Sequence, residues 1–266
     1  MLNQNSLDTV AAALAESMGA QAPAQAAPAN QDLLGYLSDA FGGKKADRLF
    51  MFNPDAIGQW VIEKYPEFLK EALAMTDLKL PLCAVMPSVT PVCFATMYTG
   101  AQPEIHGIKS YRKPVLQIET LFDALIKAGK KCAIVADDEC SIGKIFLERE
   151  MDYFIFQTTE EVNAKAAELI IKDEYDMICV YNSCYDSIMH KNGPEAAISL
   201  GALMRNSHTF AIFSELIKAH WKDHNSISGF AMDHGCHEID GGCGSHGLDM
   251  PEDLNIMHLY KAYPAK

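Results

Sequence analysis

The sequence predicts an α/β fold, a mostly parallel central sheet with helices on both faces, and three observations carry that prediction. Short aliphatic and aromatic runs alternate with segments of helical period along most of the chain. Those runs are continuously apolar, as strands covered on both faces are. No internal repeat appears at the periods expected of solenoids or propellers.

In order along the chain, residues 7–18 have an amphipathic helical pattern and read as a docking arm or a frayed terminus, and residues 19–30 (GAQAPAQAAPAN) read as a linker. The expected organisation is therefore an arm and linker over 1–30 and one catalytic domain over 31–266. A helix over 32–41 stops at Gly42-Gly43. Strands are expected at 48–52, 80–85, 131–136, 153–156, 177–181 and 227–232, and helices at 58–75, 92–98, 118–128, 159–171 and 195–221.

At 266 residues and 49% hydrophobic content the chain can bury a sizeable core. Acidic residues outnumber basic ones 35 to 22, a net charge of -13 that argues against a binder of nucleic-acid polymers. A small phosphorylated substrate stays compatible with that charge if a bound metal reverses the local field. No apolar run is long enough to span a bilayer, and residues 1–31 lack the pattern of a secretory signal. The eight cysteines are scattered through a medium-sized chain, which fits reduced thiols and a cytoplasmic location.

Polar chemistry collects at the ends of the expected strands, where ligands of parallel sheets gather. Asn53-Pro54-Asp55 follows the first, Ser88-Val89-Thr90 the second, Asp186 and His190 the fifth, and Asp233-His234-Gly235 the sixth, with Ser245-His246-Gly247 soon after. Carboxylates and imidazoles in that mixture suit zinc or a similar first-row ion. A single Asp or His at a strand end is more often a cap or a surface group; groups at successive ends are harder to dismiss. Thr90 opens a helix, as a cap or as a nucleophile beside the helix N-terminus, and the two roles are compatible. Cys236, His237 and Cys243 are too sparse for a separate zinc site. His106 reads as a turn residue, His208, His220 and His224 as surface or packing groups, and His258 ranks below His246.

Residues 87–107 (PSVTPVCFATMYTGAQPEIHG) resemble the nucleophile segment of the alkaline phosphatase superfamily, and specifically its nucleotide pyrophosphatase/phosphodiesterase branch. Residues 186–194 (DSIMHKNGP) and 232–253 (MDHGCHEIDGGCGSHGLDMPED) are similar to two further segments of that branch, in the same order. The resemblance implies two divalent ions, zinc or alternatively manganese. Asp186, His190 and His246 would hold one; Asp233, His234, the Thr90 oxygen and an acidic residue at the end of the first strand would hold the other. That residue is Asp55 or, as the weaker ligand, Asn53, because this chain has Asn53-Pro54-Asp55-Ala56 where the family has Asp-Gly. Thr90 would be the nucleophile and carry a phospho-threonine intermediate.

A second departure is Lys109-Ser110-Tyr111-Arg112, where the branch often has an Asn that hydrogen-bonds the phosphoryl group. Lys109, Tyr111 and Arg112 become candidate substrate-binding residues, or solvated surface groups. The implied activity is hydrolysis of a phosphodiester or pyrophosphate bond in a small, nucleotide-like substrate. Phosphomonoester or phosphonate hydrolysis is the alternative, and a non-catalytic ligand-binding member a third reading. The 236 residues after the linker are lean for this family, so any inserted cap should be minimal. Two divalent ions would bring the charge from -13 to about -9.

Overall fold

The computed structural model describes residues 1–266. Seven strands form one sheet: β1 (Arg48–Pro54), β2 (Leu78–Cys83), β3 (Cys132–Asp137), β4 (Asp152–Phe156), β5 (Met177–Asn182), β6 (Ser226–Phe230) and β9 (Asn255–Tyr263). A separate two-stranded hairpin contains β7 (His237–Ile239) and β8 (Cys243–Ser245). The order in the sheet is β2-β9-β6-β1-β5-β3-β4; β9 runs antiparallel to both its neighbours and every other pairing is parallel.

The register explains how the site is assembled. Phe52 of β1 lies opposite Val180 of β5 on one side and Phe230 of β6 on the other. The three central strands therefore finish level, and the residues that follow them meet at one edge of the sheet. Alternation along β1 sends successive side chains to opposite faces. Phe50 and Phe52 pack against Phe210 and Phe213 of the long helix Ala197–His220. Asn53 instead faces helix Thr90–Thr99, where its Oδ1 accepts from the Tyr98 hydroxyl at 2.9 Å. Burying one such phenylalanine contributes about 1.5–3 kcal/mol.

The helices form two groups. Thr159–Lys172, Cys184–Asn192 and Lys70–Ala74 contact the long helix, whereas Val10–Ser17, Thr90–Thr99 and Leu121–Lys127 contact one another. No helix is long and apolar enough to cross a membrane. All eight cysteines are free.

Four expectations change. Residues 1–30 do not stand away as an arm and linker. Leu7, Val10 and Leu14 are buried, Ser6 bridges to Cys83 beside β2, and Ala27 N–H donates to Gly100 O at 2.7 Å. The alanines that give the segment its linker-like composition permit this close packing, and a Cβ on Gly100 would come within 2.5 Å of Ala26 Cβ. The helical period over 58–75 is broken into Gln59–Lys64, a 3-10 turn Pro66–Phe68 and Lys70–Ala74, because Pro66 supplies no N–H to continue the first helix. Residues 184–192 form a helix, an element that the sequence pattern had not assigned. Finally, β9 adds an antiparallel strand next to β6.

Candidate metal centre

The site comprises two clusters of three side chains that could hold a metal ion: Asp55, Asp233 and His234 in one, Asp186, His190 and His246 in the other. The ligand atoms within each cluster lie within 4.8 Å of one another. Asp55 follows β1 and Asp233-His234 follow β6, while helix Cys184–Asn192 carries Asp186 and His190 one turn apart on one face. His246 follows β8. The hairpin reaches the helix because Gly244 has no side chain: a Cβ there would meet Met189 Sδ at 2.2 Å. Gly235 is needed just as strictly, since its Cβ would come within 2.0 Å of the Glu252 carbonyl.

Thr90 lies between the strand ends at the start of its helix. Its hydroxyl is 3.3 Å from Asp55 Oδ2 and 3.4 Å from His234 Nε2. Asn53, the weaker alternative ligand, donates to Met51 O and Val180 O and accepts from Tyr98, so its amide is committed to the core. Ala56 adopts a left-handed φ of 64° and donates its N–H to Asp233 Oδ1 at 3.2 Å. An L-residue in that conformation costs about 1–2 kcal/mol.

All three imidazoles are oriented alike. Nδ1 faces a backbone carbonyl in each: Gly235 O at 2.9 Å for His234, Gly244 O at 3.0 Å for His190 and Ser88 O at 3.0 Å for His246. A proton on Nδ1 leaves the Nε2 lone pair facing the carboxylates, the tautomer a metal-bound histidine needs. His234 Nε2 is 3.2 Å from Asp233 Oδ2 and 3.4 Å from Asp55 Oδ1. Asp55 Oδ1, Asp233 Oδ2 and Asp186 Oδ1 are all buried without a hydrogen bond. Around His234, buried oxygens without donors that face an imidazole lone pair are a costly arrangement that a divalent cation would compensate. The residues present fit such ions.

The two clusters differ electrostatically. Burial, then the charge of Asp186, pushes the Asp55 carboxyl up to about 7. Asp233 is also raised, by burial and by Asp55. Burial holds His234 well below the usual imidazole range. Around Asp186 the balance reverses: burial alone would raise its carboxyl, but His190 and His246 outweigh that and hold it low. In turn Asp186 raises His190 to about 9. His246 is also raised, because Asp186 and Asp55 outweigh its burial.

Three further residues support the site and were not among the sequence candidates. The Tyr181 hydroxyl donates to Asp55 Oδ2. Buried His258 of β9 contacts Met232 O through Nε2 at 2.7 Å and so braces the residue before Asp233. Asp253 accepts from Leu248 N–H at 2.8 Å and lies 2.7 Å from His237 Nδ1, tying the loop after Gly235 to the centre. Apart from Leu248 with Asp253, these contacts join residues distant in sequence; only Asp253, in the Pro-Glu-Asp stretch, carried a local signal. His106 packs in its turn, with Nε2 3.0 Å from Thr96 Oγ1.

Among the substrate-binding candidates, Lys109, Tyr111 and Arg112 are exposed. Partial burial and then the charges of Asp55, Asp186 and Asp233 raise the Tyr111 hydroxyl, so its ring lies within the field of the centre. Neither Lys109 nor Arg112 forms an ion pair.

Comparison with known proteins decides what this geometry resembles. Residues 52–126 match the family model of type I phosphodiesterases/nucleotide pyrophosphatases. The match includes Asp55, Thr90 and Tyr111, and it ends before the other five candidate ligands. Murine ectonucleotide pyrophosphatase/phosphodiesterase 5 superposes with a TM-score of 0.60 at 16% identity, over 73% of this chain and 58% of that one. Its human counterpart gives 0.64 at 11% identity, over 82% and 90%. Phosphonoacetate hydrolase from Sinorhizobium meliloti 1021, in complex with phosphonoacetate, gives 0.56 at 14% identity, over 74% and 59%. The fold is thus the one these structures share. The chain spans about three fifths of the murine and bacterial structures. No curated protein sequence matches it.

Proposed function

We propose that the protein hydrolyses a phosphodiester or pyrophosphate bond in a small, nucleotide-like substrate, with Thr90 as nucleophile. The observation that carries this reading is the position of the Thr90 hydroxyl, 3.3 Å from Asp55 and 3.4 Å from His234, beside carboxylate oxygens that have no donor. Asp186, His190 and His246 would hold one ion, and Asp55, Asp233 and His234 the other, with zinc favoured by the donor set and manganese the alternative. Two such ions would lower the pKa of the hydroxyl and neutralise the phosphoryl oxygens.

The chain's own contribution is positional. The N-terminus of the ten-residue helix Thr90–Thr99 directs positive partial charge toward the phosphoryl group. Thr90 Oγ1 attacks phosphorus in line; its bond to phosphorus forms as the bond to the leaving oxygen breaks. Water then attacks the phospho-threonine, releasing the phosphate product and restoring the hydroxyl. Of the three substrate-binding candidates Tyr111 is favoured, because the charges of Asp55, Asp186 and Asp233 act on its hydroxyl. Residues 1–30, packed on the domain, serve it structurally, and the free thiols support a reducing, cytoplasmic setting.

Two complexes of similar proteins favour related readings. The murine protein is described as an inactive threonine-to-alanine variant bound to AMP, which supports the nucleotide-like substrate and the threonine. Phosphonoacetate hydrolase with its phosphonate supports carbon–phosphorus cleavage as the second reading. The test measures bound metal together with turnover of bis-p-nitrophenyl phosphate, p-nitrophenyl phosphate and phosphonoacetate, with zinc or manganese supplied. Two ions per chain with diester turnover fastest is the expected result. Phosphonoacetate turnover fastest would favour the second reading, and a chain that binds no metal would overturn both.

A further inference from the structure

The long helix Ala197–His220 has 24 residues and is about 36 Å in length. Its inner side packs on the sheet through Phe210 and Phe213 and on helices Thr159–Lys172, Cys184–Asn192 and Lys70–Ala74. The outer side is open to solvent, yet it is not the uniformly polar face that a surface helix usually presents. Ile198, Met204 and Ile212 on it are each about half exposed. Gly201, Arg205, His208, Ile212, Glu215 and Ala219 follow one another at intervals of four and three residues, and all but the half-buried Gly201 are exposed. Ile198 continues the alternation by one step. A mean spacing of 3.5 residues is the one at which two helices keep facing each other along their length.

A second copy of the chain fits this seam by symmetry. With a twofold axis level with Phe210, the second copy runs antiparallel, and Arg205 faces its Glu215 while Glu215 faces its Arg205. In the same register His208 faces Ile212, and the small residues Gly201 and Ala219 face each other and allow close approach. Within its own chain Arg205 pairs with no carboxylate; its polar contact is with Cys184 Sγ at 3.2 Å. His208 is already held by Glu71 at 2.7 Å, so it brings no lone charge to the axis. The two neighbouring registers set Glu215 against Ile198 or Ile212, and Arg205 against His208 or Lys222. Charge therefore selects the first register.

We propose that the outer face of helix Ala197–His220 is the interface of a twofold dimer, held in register by reciprocal Arg205–Glu215 pairs. Such an interface is isologous: the same patch serves both copies and closes the assembly at two. Each copy carries a net charge of -13, and that mutual repulsion keeps the dissociation constant in the micromolar range. The candidate metal ligands take no part, since none lies on this helix.

The test is sedimentation velocity of the full-length chain from micromolar to several hundred micromolar concentration. A reversible equilibrium between monomer and dimer is expected. Arg205→Glu and Glu215→Arg each place two like-charged pairs across the axis, and each should weaken the dimer at least about 10-fold. The double variant, Arg205→Glu with Glu215→Arg, recreates both pairs in reverse and should return the dissociation constant to within about threefold of the parent. Both positions are exposed, so circular dichroism of the dilute monomers should match that of the parent. A chain that stays monomeric at every concentration overturns the proposal. So does a dimer that either single reversal leaves unchanged, or a double variant that remains as weak as the single ones.

Discussion

The two clusters of the candidate centre present the same chemistry, carboxylate and imidazole, in opposite surroundings. Asp55, Asp233 and His234 are buried, whereas His190 and His246 border on solvent. The buried cluster cannot neutralise itself: its imidazole stays uncharged and its carboxyls are pushed up toward protonation. In the open cluster, Asp186 draws protons onto two imidazoles and becomes well compensated. Without ions, then, one half is short of positive charge and the other carries protons that an ion would displace. The same ligand types should therefore respond differently to pH, to metal and to substitution.

The largest effect should come from the residue between the clusters. Thr90→Ala is expected to lower turnover of bis-p-nitrophenyl phosphate by on the order of 10⁴-fold, with little change in metal content or melting temperature. Turnover within a few-fold of the parent would remove Thr90 from the mechanism.

Next is the buried cluster. A carboxyl raised from 3.8 to about 7 on folding means that the folded state holds a proton which the unfolded state has released. Metal-free stability should therefore fall as pH rises from about 4 to about 7, by on the order of 4 kcal/mol if Asp55 acts alone. Asp55→Asn should flatten that decline in urea titrations of the chelated protein and largely abolish the rise in melting temperature on adding zinc. A decline that persists when Asp55→Asn is combined with Asp233→Asn would show that the buried charge is not the cause.

The open cluster should show its own signature. His190, raised from 6.5 to about 9, contributes stability that is present below pH 6.5 and lost as pH rises through about 9. An ion must displace this proton, so affinity at the open cluster should rise up to about 10-fold per pH unit across that window. Chelator competition at both ends of the window measures the slope, and His190→Asn should reduce it. An unchanged slope would place the proton elsewhere.

Smaller effects belong to the supporting residues. His258→Leu, which removes the brace on Met232, should weaken metal binding by about 10- to 100-fold while leaving the ligands themselves intact. Unaltered affinity would make His258 a packing residue only.

The contrast between the clusters also shows what the sequence could reveal. Asp233-His234-Gly235 was legible because it directly follows an apolar strand, and Asp186 and His190 because they follow another. Strands β1, β3, β5 and β6 were legible for a similarly local reason, their continuous apolar runs. The surroundings that distinguish the clusters were not local. Tyr181 reaches Asp55 across 126 positions, and His258 reaches Met232 through a strand whose lysine and histidine interrupt its apolar pattern. Residues 1–30 misled because an alanine-rich composition suits a flexible linker and a tightly packed layer equally well; only their partners, near Cys83 and Gly100, separate the two.

The central claim is that Thr90 forms a bond to phosphorus between the two clusters. Rapid acid quench during turnover of bis-p-nitrophenyl phosphate, followed by peptide mass spectrometry, tests it most directly. A phosphoryl adduct on Thr90, absent when zinc and manganese are withheld, is the predicted result. Sustained hydrolysis with Thr90 unmodified at every quench time, and equally fast in Thr90→Ala, would contradict it.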